Sequence, residues 1–223
     1  MSHPSDPLDV YLEIGDKRVF AGALNWPGWC RSGRDEASAL QNLANYAPRY
    51  AGVMRASSLD FELTASESDF NVVERLPGTS TTDFGAPDVA PTIDSMPVSD
   101  AELTRLQSIL KACWSALDMA AGSAMGVELR KGPRGGGRDL EGVIAHVRGA
   151  EEGYLSALGR KPERGATLDQ WRQSILDALA ASAHGEVAPV GPRGGARWSA
   201  RYFARRAAWH ALDHAWEIED RSR

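Results

Sequence analysis

Apolar and polar positions alternate near the start of the chain: Leu8, Val10, Leu12 and Ile14 fall on one side, Asp9, Tyr11 and Glu13 on the other. A period of two predicts a strand with one face buried. Gly15-Asp16 suits a turn, and a second strand is expected over about residues 18–24. Asp35 and Glu36 stand where a helix dipole favours negative charge, and they open a helical pattern that runs to about Val53. Two further extended runs cover 58–64 and 70–76. Residues 77–97 are rich in Pro, Gly, Ser, Thr and Asp without periodicity, as in a linker or long loop. The period then becomes helical. Ser99 followed by Glu102 fits a capping box, and Leu103, Leu106, Leu110, Cys113 and Leu117 carry that helix to about Ala124. Three more helices are predicted over about 139–158, 167–182 (with Thr167 as cap) and 198–220. The expected class is therefore α+β: a small ββαβ-type domain over residues 1–76, a linker over 77–98, and a four-helix bundle over 99–223.

The 223-residue chain is 43% hydrophobic, enough to bury a core. It holds no run of about 18 apolar residues, so no spanning helix and no membrane association are expected. The polar opening Met1–Pro7 lacks the basic-then-apolar order of a secretory signal. Cys30 and Cys113 stand far apart with no C-x-x-C pair, and a reduced, cytoplasmic protein is the simplest expectation. Residues 1–98 carry 7 basic and 14 acidic side chains, and residues 99–223 carry 18 and 16. Neither half is basic enough to make nucleic acid an expected partner. Gly-Pro-Arg-Gly-Gly occurs twice, at 132–136 and 191–195, each time ahead of a histidine-bearing helix. Without the Walker spacing it reads as a connector.

The histidines carry the chemistry. His210 and His214 are four residues apart, which places both imidazoles on one helix face within about 6 Å. Such a pair can converge on one cation at bonds near 2.1 Å, but a third ligand must come from elsewhere. His146 is the candidate, set mid-helix among apolar neighbours where an unpaired imidazole is costly. A surface coincidence for the pair, and a hydrogen-bonded core histidine for His146, are the alternatives. His3 and His184 lie in polar segments and receive no role. Glu217 and Asp213 are candidates to orient an imidazole from behind, or else solvated carboxylates near a helix end. Arg197, Arg201 and Arg205, at i, i+4 and i+8, form either an anion-binding stripe leading toward His210 or a solvated face. Three imidazoles leave one exchangeable position on a divalent metal, Zn or Ni above all.

The run His146-Val147-Arg148-Gly149-Ala150-Glu151-Glu152-Gly153-Tyr154-Leu155, with Trp209-His210-Ala211-Leu212-Asp213-His214 downstream, resembles the DinB-like superfamily. That family includes mycothiol-dependent maleylpyruvate isomerases and related thiol transferases. The resemblance covers roughly residues 99–223 and rests on one histidine on the second helix and HxxxH on the fourth. It implies a bundle of up-down-down-up topology, with a crossover through 159–166, and a metal held by His146, His210 and His214. It also implies a low-molecular-weight thiol such as mycothiol that coordinates as thiolate and attacks a small electrophilic substrate.

The N-terminal stretch Leu24-Asn25-Trp26-Pro27-Gly28-Trp29-Cys30-Arg31-Ser32-Gly33, followed by Glu36-Ala37 and Leu40, resembles the HicB-like antitoxin fold. The match covers about Leu8 to Val53, with Trp29 inserted between Gly28 and Cys30. It implies a domain that docks a protein partner, or a second copy of the chain as a homodimer. The two resemblances together lead to one expectation and one alternative. The expectation is a metal-dependent thiol transferase or isomerase. The alternative is a non-catalytic interaction protein whose metal is structural.

Overall fold

The computed structural model describes residues 7–57, 59, 61, 69–131, 137–161 and 165–222. The chain divides into two compact units, Met1–Ser95 and Met96–Arg223.

In the first unit, strands β1 (Leu8–Ile14), β2 (Val19–Ala23), β3 (Cys30–Gly33) and β4 (Phe70–Pro77) form one sheet in the order β3-β2-β1-β4. Helices α1 (Glu36–Asn45) and α2 (Ala47–Met54) lie between β3 and β4 in sequence. The order is thus βββααβ, one strand more than the expected ββαβ. β3 has four residues and no alternation, so its pattern carries no strand signal. What positions it is the turn before it. The Trp29 amide donates to Trp26 O at 3.1 Å around Pro27 and Gly28, whose φ of 93° is open to glycine and suits the third position of a type II turn. β1 and β2 are antiparallel, as are β2 and β3, whereas β1 and β4 are parallel. A parallel strand cannot be reached by a hairpin, and α1 with α2 make the crossover.

The single helix expected over 35–53 is broken at Tyr46. Pro48 has no N–H, and its ring would clash with the carbonyl four residues back, so the chain ends α1 and restarts with proline in the first turn of α2. Trp29 anchors the break. Its indole donates to Leu43 O at 2.9 Å, it stacks on Tyr50, and the Tyr50 hydroxyl donates to Pro27 O at 2.8 Å. The extended run expected over 58–64 lies mostly outside the described residues.

β1 was expected to bury one face and buries both. Tyr11 is 1% exposed and Glu13 0%. At Glu13 that second face is covered by the segment expected to be a linker, which carries a short helix α3 (Ser80–Phe84) and a 3-10 turn (Thr92–Ser95). Glu13 clasps it. The Thr82 hydroxyl and the backbone amides of Asp88 (2.9 Å) and Val89 (3.0 Å) all donate to this one carboxylate. Burial pushes its pKa above the ordinary carboxylate value, against the pull of those three donors. Glu13→Ala is expected to cost about 2–4 kcal/mol, because it leaves the buried Thr82 hydroxyl and two part-buried amides without their acceptor. Urea unfolding of the full chain, with amide exchange read at Asp88 and Val89, measures this. Unchanged protection at both amides would show that the segment is held by something else.

The second unit consists of α4 (Asp100–Ser123), α5 (Leu140–Ala157), α6 (Leu168–Ala183) and α7 (Ala200–Arg221). Side chains of Ser99, Asp139, Thr167 and Ser199 cap their four N-termini. Thr167 and Gln170 complete a capping box, but Ser99 and Glu102 make only half of one. The Glu102 carboxylate is drawn away into an ion pair with Arg201. α7 packs against α4, α5 and α6. Its fully buried Ala204, Ala208, Ala211 and Ala215 let neighbouring backbones approach closely, while Phe203, Leu212 and Ile218 fill the space between. Cys113 is part of this core, and burial pushes its thiol pKa up. A buried glutamate ties three helices together: Glu151 of α5 accepts from Trp114 of α4 at 2.7 Å and from Trp171 of α6 at 2.9 Å. Among the described residues no helix is long and apolar enough to cross a membrane.

Candidate metal centre

α7 is buried around most of its circumference, and its half-buried side carries Arg206, Asp213 and Glu217. His210 and His214 lie at the margin of that side, 6% and 9% exposed. α5 turns Val143, Val147, Glu151 and Leu155 into the core, which leaves His146 half-buried at the edge of its apolar stripe. A small apolar layer, with Leu117, Leu129, Val143, Val147, Ala215 and Ile218 among its members, packs these parts of the helices together.

The three imidazoles converge through their Nε2 atoms. His210 Nε2 lies 3.3 Å from His146 Nε2 and 3.2 Å from His214 Nε2. One ligand atom from each of the three falls within 4.8 Å of the others. Metal–nitrogen bonds of 2.0–2.1 Å at tetrahedral angles place ligand nitrogens about 3.3 Å apart, so the spacing fits a cation of zinc type. Hydrogen bonding explains the cluster less well. His214 Nδ1 faces Glu217 Oε2 at 2.7 Å, so that nitrogen carries the proton and Nε2 keeps its lone pair. A single proton on His210 Nε2 can serve one neighbour but not both. A cation serves all three.

Burial holds His210 and His146 in the neutral state that binds metal. His210 is pushed down to about 2 by burial first, then by His214, His146, Arg206 and Arg138. His146 is lowered by burial, then by Arg138 and His214. Behind His214, Glu217 is held below its ordinary pKa, chiefly by the hydrogen bond from His214. Its other oxygen accepts from Arg221 at 2.6 Å. Arg221 also donates to the carbonyls of Arg130 (2.7 Å) and Arg138 (2.8 Å), fastening the chain ahead of α5 to the end of α7.

The structure brings His146, His210, His214 and Glu217 together. Asp213 sits one residue before His214 and is half-buried; the carboxylate seen on that imidazole is that of Glu217. The arginine stripe does not lead to the histidines. At about 100° per residue, Arg205 points roughly 140° and Arg201 roughly 180° away from His210 around α7. Arg197 donates to Ala188 O, Arg201 to the carbonyls of Met96 and Pro97 and to Glu102, and Arg205 is buried. The arginine on the histidine side is Arg206, one turn before His210, with its guanidinium over the rings of Trp209 (4.9 Å) and Tyr154 (5.8 Å). Tyr154 in turn meets His210 edge-on at 5.8 Å. The i, i+4 rule that paired His210 with His214 also reaches back to Arg206 and joins Glu217 to Arg221. Glu151 and the two tryptophans offer no such local signal. Of the two Gly-Pro-Arg-Gly-Gly copies, 132–136 lies outside the described residues. The other closes a tight turn, with the Gly191 amide on Gly195 O at 2.8 Å.

Comparison with family models, with curated proteins and with solved structures finds no match to this chain.

Proposed function

We infer that the C-terminal unit is a DinB-like bundle holding one divalent metal, zinc or nickel, on His146, His210 and His214. In this reading it works as a metal-dependent transferase or isomerase with a low-molecular-weight thiol such as mycothiol, and the HicB-like N-terminal unit docks a protein partner or a second copy. The observation that carries the metal is the convergence of the three imidazoles, with His210 Nε2 at tetrahedral spacing from the Nε2 atoms of both His146 and His214. The thiol and the reaction class rest on the sequence resemblance alone. A cation with three neutral protein ligands and one exchangeable position acidifies whatever binds there, water toward neutrality and a thiol to thiolate. The chain's own residues do the rest. Burial keeps His210 and His146 unprotonated. Glu217 holds the His214 proton on Nδ1, and Arg221 fixes Glu217. Tyr154 walls one side of His210.

Metal analysis of the purified protein by mass spectrometry, beside a His210→Ala/His214→Ala variant, tests this. About one equivalent in the parent and less than a tenth in a variant that keeps its helical circular dichroism is the expected result. A parent that takes up no zinc, nickel, iron or copper on reconstitution overturns the metal centre. A loaded parent that coordinates no added thiol, read by charge transfer in the cobalt form, overturns the thiol chemistry and leaves a structural metal.

A further inference from the structure

One charged group beside the histidines has neither a hydrogen bond nor an ion pair among the described residues. Arg206 is half-buried on the open side of α7, and its Nη1 is closed off from solvent, which leaves its other N–H groups for a ligand. Its neighbours are aromatic faces: it lies over the rings of Trp209 and Tyr154. Those faces fix the position of a cation without neutralising it. A half-buried guanidinium lacking an acceptor is costly, and an anion that reaches its open N–H groups offsets that cost with a charge-assisted bond. There is also room. On α5, Gly149 and Gly153 share the side of His146, and an added Cβ at either would meet nothing within 4 Å.

We propose that Arg206 receives an anionic group, a carboxylate by preference, on the small molecule that binds at the histidine centre. The inference rests on the metal reading for the position of the other end of that molecule. Arg206 and His210 are one helical turn apart, about 5–6 Å. The ligand class this selects is a small acid whose carboxylate stands three or four bonds from its metal-binding atom. Arg201 and Arg205 do not compete for it, since both point away from this side of α7, and Arg197, ahead of the helix, donates to Ala188 O.

The test uses the full chain loaded with cobalt(II), whose thiolate charge-transfer band reports coordination. The probes are 4-mercaptobutanoate and its uncharged counterpart 4-mercaptobutanol, whose three-methylene spacer matches one helical turn. The parent is expected to bind the acid at least about tenfold more tightly than the alcohol. R206Q should lose that preference while still taking up one cobalt per chain, and R206K should recover part of it, which a loss of packing alone would not produce. Equal affinities in the parent, or a preference that survives in R206Q, overturn the proposal and leave the metal reading standing. A parent that takes up no cobalt fails the metal reading instead. The same pair is then compared on the metal-free chain by calorimetry, where an acid preference absent from R206Q supports the anion site and no preference overturns it.

Discussion

Metal-free protein loses stability on acidification from pH 6.5 to pH 5 by about 2 kcal/mol, and His210→Leu abolishes most of that loss. The sign follows from where the proton sits. His210 titrates near 2 in the folded chain and near 6.5 when unfolded. Between those values the unfolded chain holds a proton that the folded one excludes, so the unfolded state gains about 1.4 kcal/mol per unit of falling pH. The contribution is fully present above 6.5 and drains away as pH falls toward 2. His146, lowered by burial, acts in the same direction. A cation in the cluster reverses the position: bound to the folded state alone, at a thousandfold excess over its dissociation constant, it adds about 4 kcal/mol. Amide exchange at Leu212, buried in α7, reads both effects in the helical unit itself. A flat pH profile in the metal-free parent would falsify the burial argument, and unchanged protection on adding zinc at pH 7 would remove the metal.

The triad is the part of the site that local spacing makes legible. Helix periodicity places His210 beside His214, and apolar surroundings single out His146, which the fold leaves half-buried, so their meeting had to come from the fold. Strand β1 was legible to the residue for the same reason, a local period of two. What failed is what depends on distant partners. Tyr11 and Glu13 look solvent-facing by alternation, yet both are buried, and a segment some seventy residues later closes over Glu13. Glu102 belongs to a capping box by local rule, yet Arg201, ninety-nine positions away, takes its carboxylate. Arg197, Arg201 and Arg205 are evenly spaced, and even spacing says nothing about which side of α7 faces the histidines. That was settled by packing, which turned Arg206 to the open side. β3 is too short to show a period, and Pro48 breaks a helix that the apolar pattern alone would continue.

Glu151→Leu is expected to destabilise the helical unit by about 3–5 kcal/mol and to weaken metal binding, although Glu151 touches no histidine. The carboxylate is 6% exposed and is the acceptor for both the Trp114 and the Trp171 indoles. Leucine fills similar volume but leaves two buried N–H groups unpaired. Gln keeps one acceptor oxygen and turns an amide N–H toward the other indole, so Glu151→Gln should cost about half as much. The pH profiles separate the variants. Burial raises the Glu151 pKa more than the indoles and the neighbouring Arg172 and Arg148 lower it. Its contribution is therefore complete below the unfolded value near 4.5 and declines as pH rises through the higher folded value; Gln has no such slope. The effect on the metal follows from position. α5 packs against α7 and carries His146 five residues before Glu151, and Glu151 is a polar tie from α5 to both α4 and α6. Loosening that tie frees the helix that delivers the third ligand, while the other two stay on α7. Zinc affinity in Glu151→Leu should fall at least tenfold, with Glu151→Gln close to the parent. An unfolding midpoint within experimental scatter of the parent's, or a Leu variant that holds zinc as tightly, would show that α5 is positioned by its apolar stripe alone.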